Sequence, residues 1–395
     1  MSRIVFYSIP AYGHTNPTLG VVRELVDRGH EVWYYSYERL RKPIETAGAH
    51  FVPCDAYDSE QKLTEKDRAR IGKDLAFSTQ ILVDTTLALE EMVFETLETL
   101  KPDCVVADSM AIWGKLIALK LGIPFVSSTT TFAFNQHSSK ILNQSRPEFL
   151  SLLFSMPKVQ GQIRRLQKHG YPVKNILDII GNDDQTDTIV YTSPEFQPCS
   201  ETFSAHYAFI GPSIRPVTEP IRKLRDTLIY VSMGTVNNDL LPLYRSCIDA
   251  WRDSPHQVIL SIGDLVDPRQ LGDLPKHITV HPHVDQMAVL EQTDAFVSHC
   301  GMNSVNESLY FGVPLVLLPQ TTEQGGVAAR VEQLGAGIRP EQVSAPALRA
   351  AAEQVLNTPD YRANAEKLAA GFKRCSGPRG AADKILSVCK ASESR

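Results

Sequence analysis

Short β-branched runs alternate with longer segments of helical apolar spacing, and the alternation passes through the chain twice. Strands separated by helices have no short hairpins to make them antiparallel. They fold instead as a parallel sheet with helices over its faces. In the first half the pattern predicts strands at 3–9, 31–36, 104–107, 125–128, 188–191 and 207–210. It predicts a helix at 15–28 stopped by Gly29, and a long helical stretch at 73–100. The second series predicts strands at 228–232, 258–262, 278–281, 295–298 and 315–318, with helices at 240–252, 303–311, 326–334, 345–357 and 359–372. The segment 143–187 fits neither pattern: it is polar, carries Pro147, Pro157 and Pro172, and reads either as a flap over a pocket or as a surface insertion.

At 395 residues the chain exceeds one ordinary compact domain. The Pro-rich stretch 211–220 is the natural boundary. It sets a first domain at 1–213, a linker at 214–220 and a second domain at 221–375, with a last helix at 376–391 crossing back onto the first. A formal charge of −5 leaves no basic excess for a nucleic-acid partner. No apolar run reaches the length of a membrane span, and the N-terminus enters a strand-like segment directly, without a signal-peptide pattern. Seven cysteines, odd in number and never in a CxxC pair, suit reduced thiols and a cytoplasmic protein.

The most informative run is AFVSHCGMNSVNESLYFGVPLVLLPQTTEQGG, starting at Ala295. A buried strand leads into His299-Cys300-Gly301, and a helix opens near Asn303. Such a helix start offers backbone N–H groups and partial positive charge to a phosphate. Gly301 allows close approach, Asn303 and Ser304 add donors, and Glu307, one turn on from Ser304, can accept two ribose hydroxyls. The same residues also suit plain helix capping, with no ligand. At the N-terminus, His14 follows the first strand in Ala11-Tyr12-Gly13-His14, and Asp108 ends another strand. A histidine at the carboxyl end of a parallel strand is placed for general-base work, with the carboxylate fixing its tautomer. A capping histidine beside a polar strand end is the alternative.

HCGMNSVNESLYFGVP, continuing through PQTTEQ, resembles the donor-binding signature of family one UDP-glycosyltransferases. The similarity extends upstream through Val284, Gln286 and Leu290, and to PAYGHTNPTLGVVRELVDRGHEV near the N-terminus. The short chain, and Met302 where plant enzymes usually carry tryptophan, make it most similar to the bacterial macrolide and flavonoid branch. The resemblance covers both halves and implies a GT-B fold: α/β, with two Rossmann-like parallel-sheet domains facing each other across a cleft.

It also implies roles. His299, with Gly301, Asn303 and Ser304, would contact the diphosphate, and Glu307 would hold the ribose. Glu323 and Gln324 match the pair that grips the sugar hydroxyls. Ser232, Gly234 and Thr235 match a loop near the phosphates, and Val284 and Gln286 match uracil and ribose contacts. His14 and Asp108 match the catalytic dyad. One departure stands out: the family usually reads an aromatic residue, an aliphatic residue, Pro and Gln, whereas this chain reads His283-Val284-Asp285-Gln286.

The activity implied is inverting transfer of a hexose, typically glucose, from a UDP-sugar co-substrate to a hydroxyl of a flavonoid, phenol or macrolide. The enzyme would be a monomer or weak dimer with no further cofactor. The acceptor would lie against Tyr12, Phe77, Ile81, Met110, Phe132, Phe134, Phe149 and Phe154. No DxD pair is present, Asp183-Asp184 reads as a solvated turn, and His281 and His283 lack a third ligand, so no metal is expected. PAYGHTNP in place of GxGxxG argues against an NAD oxidoreductase. A nucleotide-sugar epimerase of similar fold and a non-catalytic sugar-nucleotide-binding protein are the rival readings.

Overall fold

The computed structural model describes the chain outside residues 58–63, 65, 66, 68, 69, 71–73, 136, 139–145, 181, 183, 236, 394 and 395; for 146–154, 177, 180 and 391–393 it describes the backbone alone. The chain divides into two compact units, the first made of 1–191, 199–213 and 376–395, the second of 192–198 and 214–375.

In the first unit the strands are β1 (Arg3–Tyr7), β2 (Glu31–Ser36), β3 (His50–Pro53), β4 (Cys104–Asp108), β5 (Phe125–Thr129), β6 (Thr188–Val190) and β7 (Tyr207–Phe209). They form one sheet in the order β3-β2-β1-β4-β5-β6-β7, and every pairing is parallel. Helices α1 (Tyr12–Asp27), α2 (Arg41–Thr46), α3 (Leu75–Leu100), α4 (Ile112–Leu121), α5 (Arg146–Lys168) and α6 (Ile176–Ile180) connect them. The sheet is covered on both faces, which is why β4 reads CVVAD, buried at every position, rather than alternating.

The second unit contains β8 (Leu228–Ser232), α7 (Leu241–Trp251), β9 (Gln257–Ser261), β10 (Ile278–His281), α8 (Gln286–Leu290), β11 (Ala295–Ser298), α9 (Met302–Tyr310), β12 (Leu315–Leu317), α10 (Thr322–Gln333), β13 (Gly337–Ile338), α11 (Ala345–Asn357) and α12 (Pro359–Arg374). Its parallel sheet runs β10-β9-β8-β11-β12-β13. Counted within its own sheet, each unit therefore has the doubly wound order 3-2-1-4-5-6, with one strand more in the first. Strand order reverses between β1 and β4, and again between β8 and β11. The carboxyl ends of those neighbours are where a ligand crevice opens in such sheets.

The last helix, α13 (Gly377–Glu393), packs on α1 in the first unit. Its Ala381, Ala382, Ile385 and Cys389 join Val21, Val22 and Leu25 in one buried cluster, and Arg28 Nη1 donates to Asp383 Oδ1 at 2.6 Å.

Several sequence expectations need correction. Residues 192–198 pack with the second unit, not the first: the Phe196 ring lies on Phe372, and Arg330 Nε donates to the Phe196 carbonyl. The ambiguous segment contains the 23-residue helix α5, which packs against α3 and buries Val159, Ile163 and Leu166. Pro157 lies inside that helix, so the usual stop signal misleads. The sequence pattern does not predict β3 or β13, because HFVP is only partly buried and Gly-Ile is too short to show a period. Helix α1 begins at Tyr12, three residues earlier than expected, which puts His14 in its first turn. Helix α10 likewise starts at Thr322, capped by the Thr321 side chain, rather than at 326.

Candidate active site

In the first unit Tyr7 pairs with Ala107 across β1 and β4, so the chain leaves both strands side by side. Asp108 closes β4 and is buried; His14 comes off the first turn of α1 with its ring 19% exposed. His14 Nδ1 lies 2.9 Å from Asp108 Oδ2. The other carboxylate oxygen, Oδ1, accepts the Met110 backbone N–H at 2.8 Å. A carboxylate accepts hydrogen bonds, so the imidazole carries its proton on Nδ1, and the accepting lone pair belongs to Nε2. Thr130 completes the group: its Oγ1 is 3.0 Å from His14 Nδ1 and donates to Asp108 Oδ2 at 3.4 Å.

Sequence reasoning missed Thr130. Asp108 pairs with Ser128 across β4 and β5, which puts the residue two further along beside the carboxylate. That inference needs the strand order, and no local motif around Thr130 announces it.

In the second unit Ser232 pairs with Ser298, so the loops after β8 and β11 leave the sheet together. The His299 ring lies between Gly234 and Gly301; a methyl group at either position would overlap its Nε2. Gly234 also has φ +78°, and Cys300, buried between His299 and Gly301, holds φ +66°, a conformation unusual for a residue with a side chain. Asn238, also absent from the sequence reading, is buried and donates from Nδ2 to the Gly234 carbonyl at 3.2 Å, bracing the first loop. The His299 Nδ1 atom is buried without a hydrogen-bond partner. Burial lowers the imidazole pKa to about 4. The ring is therefore neutral at physiological pH and meets an anion as a dipole rather than as a cation.

Gly301 is the N-cap of α9 and supplies no side-chain cap; the helical ladder begins with Val305 N–H to the Gly301 carbonyl. The N–H groups of the first turn precede that ladder, the arrangement that binds anions. Asn303 and Ser304 stand on this turn. One turn on, Glu307 accepts from Gln286 Nε2, which also approaches Ser304 Oγ at 3.4 Å. Burial raises the Glu307 pKa to about 7, offset by the Gln286 hydrogen bond and by Arg215, and reinforced by Asp285.

Asp285, the departure from the resembled pattern, has a local role: its side chain accepts the Met287 N–H and caps α8. His283 Nε2 lies 2.9 Å from both Asp264 oxygens, on the surface. Val284 is half-buried between them in sequence. At the start of α10, Gln324 Oε1 accepts the Gln320 backbone N–H at 2.8 Å, which fixes the orientation of its amide, and Glu323 is exposed beside it. Ser232 is buried, and Thr235 follows Gly234 in the same loop.

The acceptor candidates separate. Tyr12, Met110 and Phe134 expose large apolar surface, and each leaves a strand that ends beside His14 or Asp108. Phe132 is buried, Phe77 lies under the Arg70 guanidinium at 4.1 Å, and Ile81 is half-buried on α3. The side chains of Phe149 and Phe154 lie outside the described residues, as does Asp183. Among the described residues no helix is long and apolar enough to cross a membrane, and no three His, Cys, Asp or Glu side chains gather as metal ligands.

The glycine pair gives a direct test. Gly301→Ala is expected to displace the His299 ring and weaken nucleotide diphosphate binding about tenfold or more, the loss of one charge-assisted hydrogen bond. Isothermal titration with UDP measures it; unchanged affinity would show that the ring position is immaterial.

Two doubly wound sheets, one ending in a His–Asp pair and the other in a helix N-terminus beside His299, define a glycosyltransferase of the GT-B type. Residues 245–387 match the model of the Erythromycin biosynthesis protein CIII-like C-terminal domain. The chain is 33% identical to the uncharacterized UDP-glucosyltransferase YdhE of Bacillus subtilis, over 95% of each chain. It is also 33% identical to the NDP-glycosyltransferase YjiC of Bacillus licheniformis, over 97% of this chain and 96% of that one. Its fold superimposes on the glycosyltransferase of kitacinnamycin with a TM-score of 0.84 at 27% identity, covering 98% of each. The chain belongs to the bacterial branch of the family one glycosyltransferases, the group of macrolide and NDP-glycosyltransferases.

Proposed function

We propose that this glycosyltransferase moves a hexose, glucose by preference, from a UDP-sugar to a hydroxyl of an apolar small molecule of macrolide, flavonoid or phenol type. The observation that carries the reading is the His14–Asp108–Thr130 group at the crevice of the first sheet. In this reading His14 Nε2 takes the proton of the acceptor hydroxyl as its oxygen bonds to the anomeric carbon. The bond from that carbon to the diphosphate breaks, and UDP leaves with the electron pair. Direct displacement on an α-linked donor yields a β-glycoside. Asp108 stabilises the imidazolium that forms and is not itself glycosylated.

The donor is assigned to the second unit: diphosphate at the α9 N-terminus with His299, ribose at Glu307, sugar hydroxyls at Glu323 and Gln324, and base near Val284 and Gln286. Stabilisation of the leaving diphosphate by backbone N–H groups and a neutral imidazole needs no metal ion. The exposed apolar side chains of Tyr12, Met110 and Phe134 favour a greasy acceptor, and apolar contact discriminates weakly, so broad acceptor tolerance follows.

A panel of nucleotide sugars incubated with one generic phenol, with products read by mass, tests donor and reaction together. Glycoside formation from UDP-glucose is expected. Epimerised donor without glycoside, or binding without turnover, would replace this reading by one of its rivals.

Thr130→Val removes the hydroxyl at nearly constant volume. It is expected to lower kcat about tenfold, the worth of one net hydrogen bond in the transition state, while donor KM stays within about twofold. Thr130→Ser restores the rate. Equal activity in both variants would remove Thr130 from the catalytic group.

A further inference from the structure

Tyr230 lies in the middle of β8, 1% exposed, with its ring stacked on Phe296 of β11 at a centroid distance of 4.7 Å and an interplanar angle of 13°. Packing alone explains the ring. It does not explain the hydroxyl, since phenylalanine would stack as well and cost nothing to desolvate. That hydroxyl lies 3.1 Å from Gln286 Oε1. Burial holds the phenol pKa above its usual value, so Tyr230 keeps its proton and donates it.

The bond fixes the amide. With Oε1 on Tyr230, Gln286 turns Nε2 toward Glu307 Oε2 and Ser304 Oγ. The reversed amide would set its carbonyl oxygen against the carboxylate and its NH2 against the phenol, losing the bond to Glu307. A hydrogen-bond relay therefore runs from the sheet interior, Tyr230 to Gln286 to Glu307, and ends on the one carboxylate of α9.

We infer that Tyr230 is a positioning residue for the donor site: acting through Gln286, it holds the Glu307 carboxylate in the orientation and charge state that receive the ribose hydroxyls. The inference rests on Glu307 being the ribose contact, as proposed above. It revises the part of Gln286, whose amide is engaged with Glu307 and acts on the nucleotide through that carboxylate. The other charged groups acting on Glu307 are Arg215, which favours the carboxylate, and Asp285, which disfavours it. His299 stays neutral until the pH falls to about 4 and so adds no titration near neutrality. Ribose hydroxyls donate to the ionised acid, so donor affinity rises with pH as Glu307 ionises. Removing the relay withdraws a hydrogen bond from the carboxylate and moves that rise to higher pH.

The test is the affinity of UDP-glucose, whose diphosphate charge is constant over this range, titrated from pH 5.5 to 8.5 without acceptor. Tyr230→Phe keeps the stack. It is expected to weaken binding about tenfold at pH 7, to shift the profile upward, and to leave kcat at saturating donor within about twofold. In a Gln286→Ala background the same change should add nothing, because the path is already cut. An unmoved pH profile, or full additivity of the two changes, overturns the inference while leaving the donor site in place. Wild-type protein that fails to bind UDP-glucose overturns the donor reading and the inference with it. Should Tyr230→Phe fail to fold, Gln286→Ala alone must reproduce the upward shift.

Discussion

Replacing His14 by alanine is expected to leave the fold and the affinity for UDP intact and to reduce glycosyl transfer by a factor on the order of 10² to 10⁴, the usual contribution of a positioned general base. The reason lies in the separation of tasks between the units. His14 and its partners Asp108 and Thr130 belong to the first sheet, whereas the groups assigned to the diphosphate and ribose belong to the second. The ring is partly exposed, at 19%, and sits at the end of the sheet rather than in its apolar core, so its loss is expected to leave the fold intact. Initial rates and UDP titration on the same preparation separate the two effects. A parallel loss of UDP affinity would mean that His14 acts on the donor instead. An acceptor with an already ionised phenolate should recover part of the rate, since it brings no proton to remove.

The second large effect is on stability and has the opposite sign from the usual active-site substitution. Glu307 has its pKa raised from 4.5 to about 7 by burial. Below the unfolded value both states are protonated and the group contributes nothing. As the pH rises from about 4.5 towards 7, the unfolded chain ionises first and gains stability relative to the fold. The folded state is thus penalised, and the penalty is complete above about 7. Glu307→Gln removes it. Because the side chain keeps some contact with solvent, the gain is about 1–3 kcal/mol at pH 8, vanishing near pH 4. Thermal unfolding at both pH values measures it, and equal melting temperatures of variant and wild type at pH 8 would show that the carboxylate is well solvated. The same variant is expected to bind UDP-glucose poorly, as an amide replaces the carboxylate that the proposal assigns to the ribose hydroxyls. Stability given up at a ligand site is a common trade.

Much of this protein is legible in its amino-acid sequence. Strands at 228–232, 278–281 and 295–298 match β8, β10 and β11 to the residue, because each is a short run rich in β-branched or aromatic residues bounded by polar residues. The helix starts were less legible. His14 and Glu323 each proved to lie in the first turn of a helix that the apolar period alone starts later, since first-turn residues face solvent or ligand and carry no core signal. Helix α5 was obscured by Pro157 within it, and β13 by having only two residues.

The sequence by itself determined the double α/β architecture, the strand-to-helix turns at His14 and His299, and the chemical types gathered there. These are local properties, written in periodicity and in contiguous motifs. Only the tertiary structure decided which strands are neighbours, and that choice brings Thr130 to His14 and Asp108, Gly234 to His299, and Tyr230 to Gln286 and Glu307. The partners in these groups stand from 21 to 116 residues apart. Hydrogen bonds are read over about 3 Å of space, and no periodicity in the chain carries information about that distance.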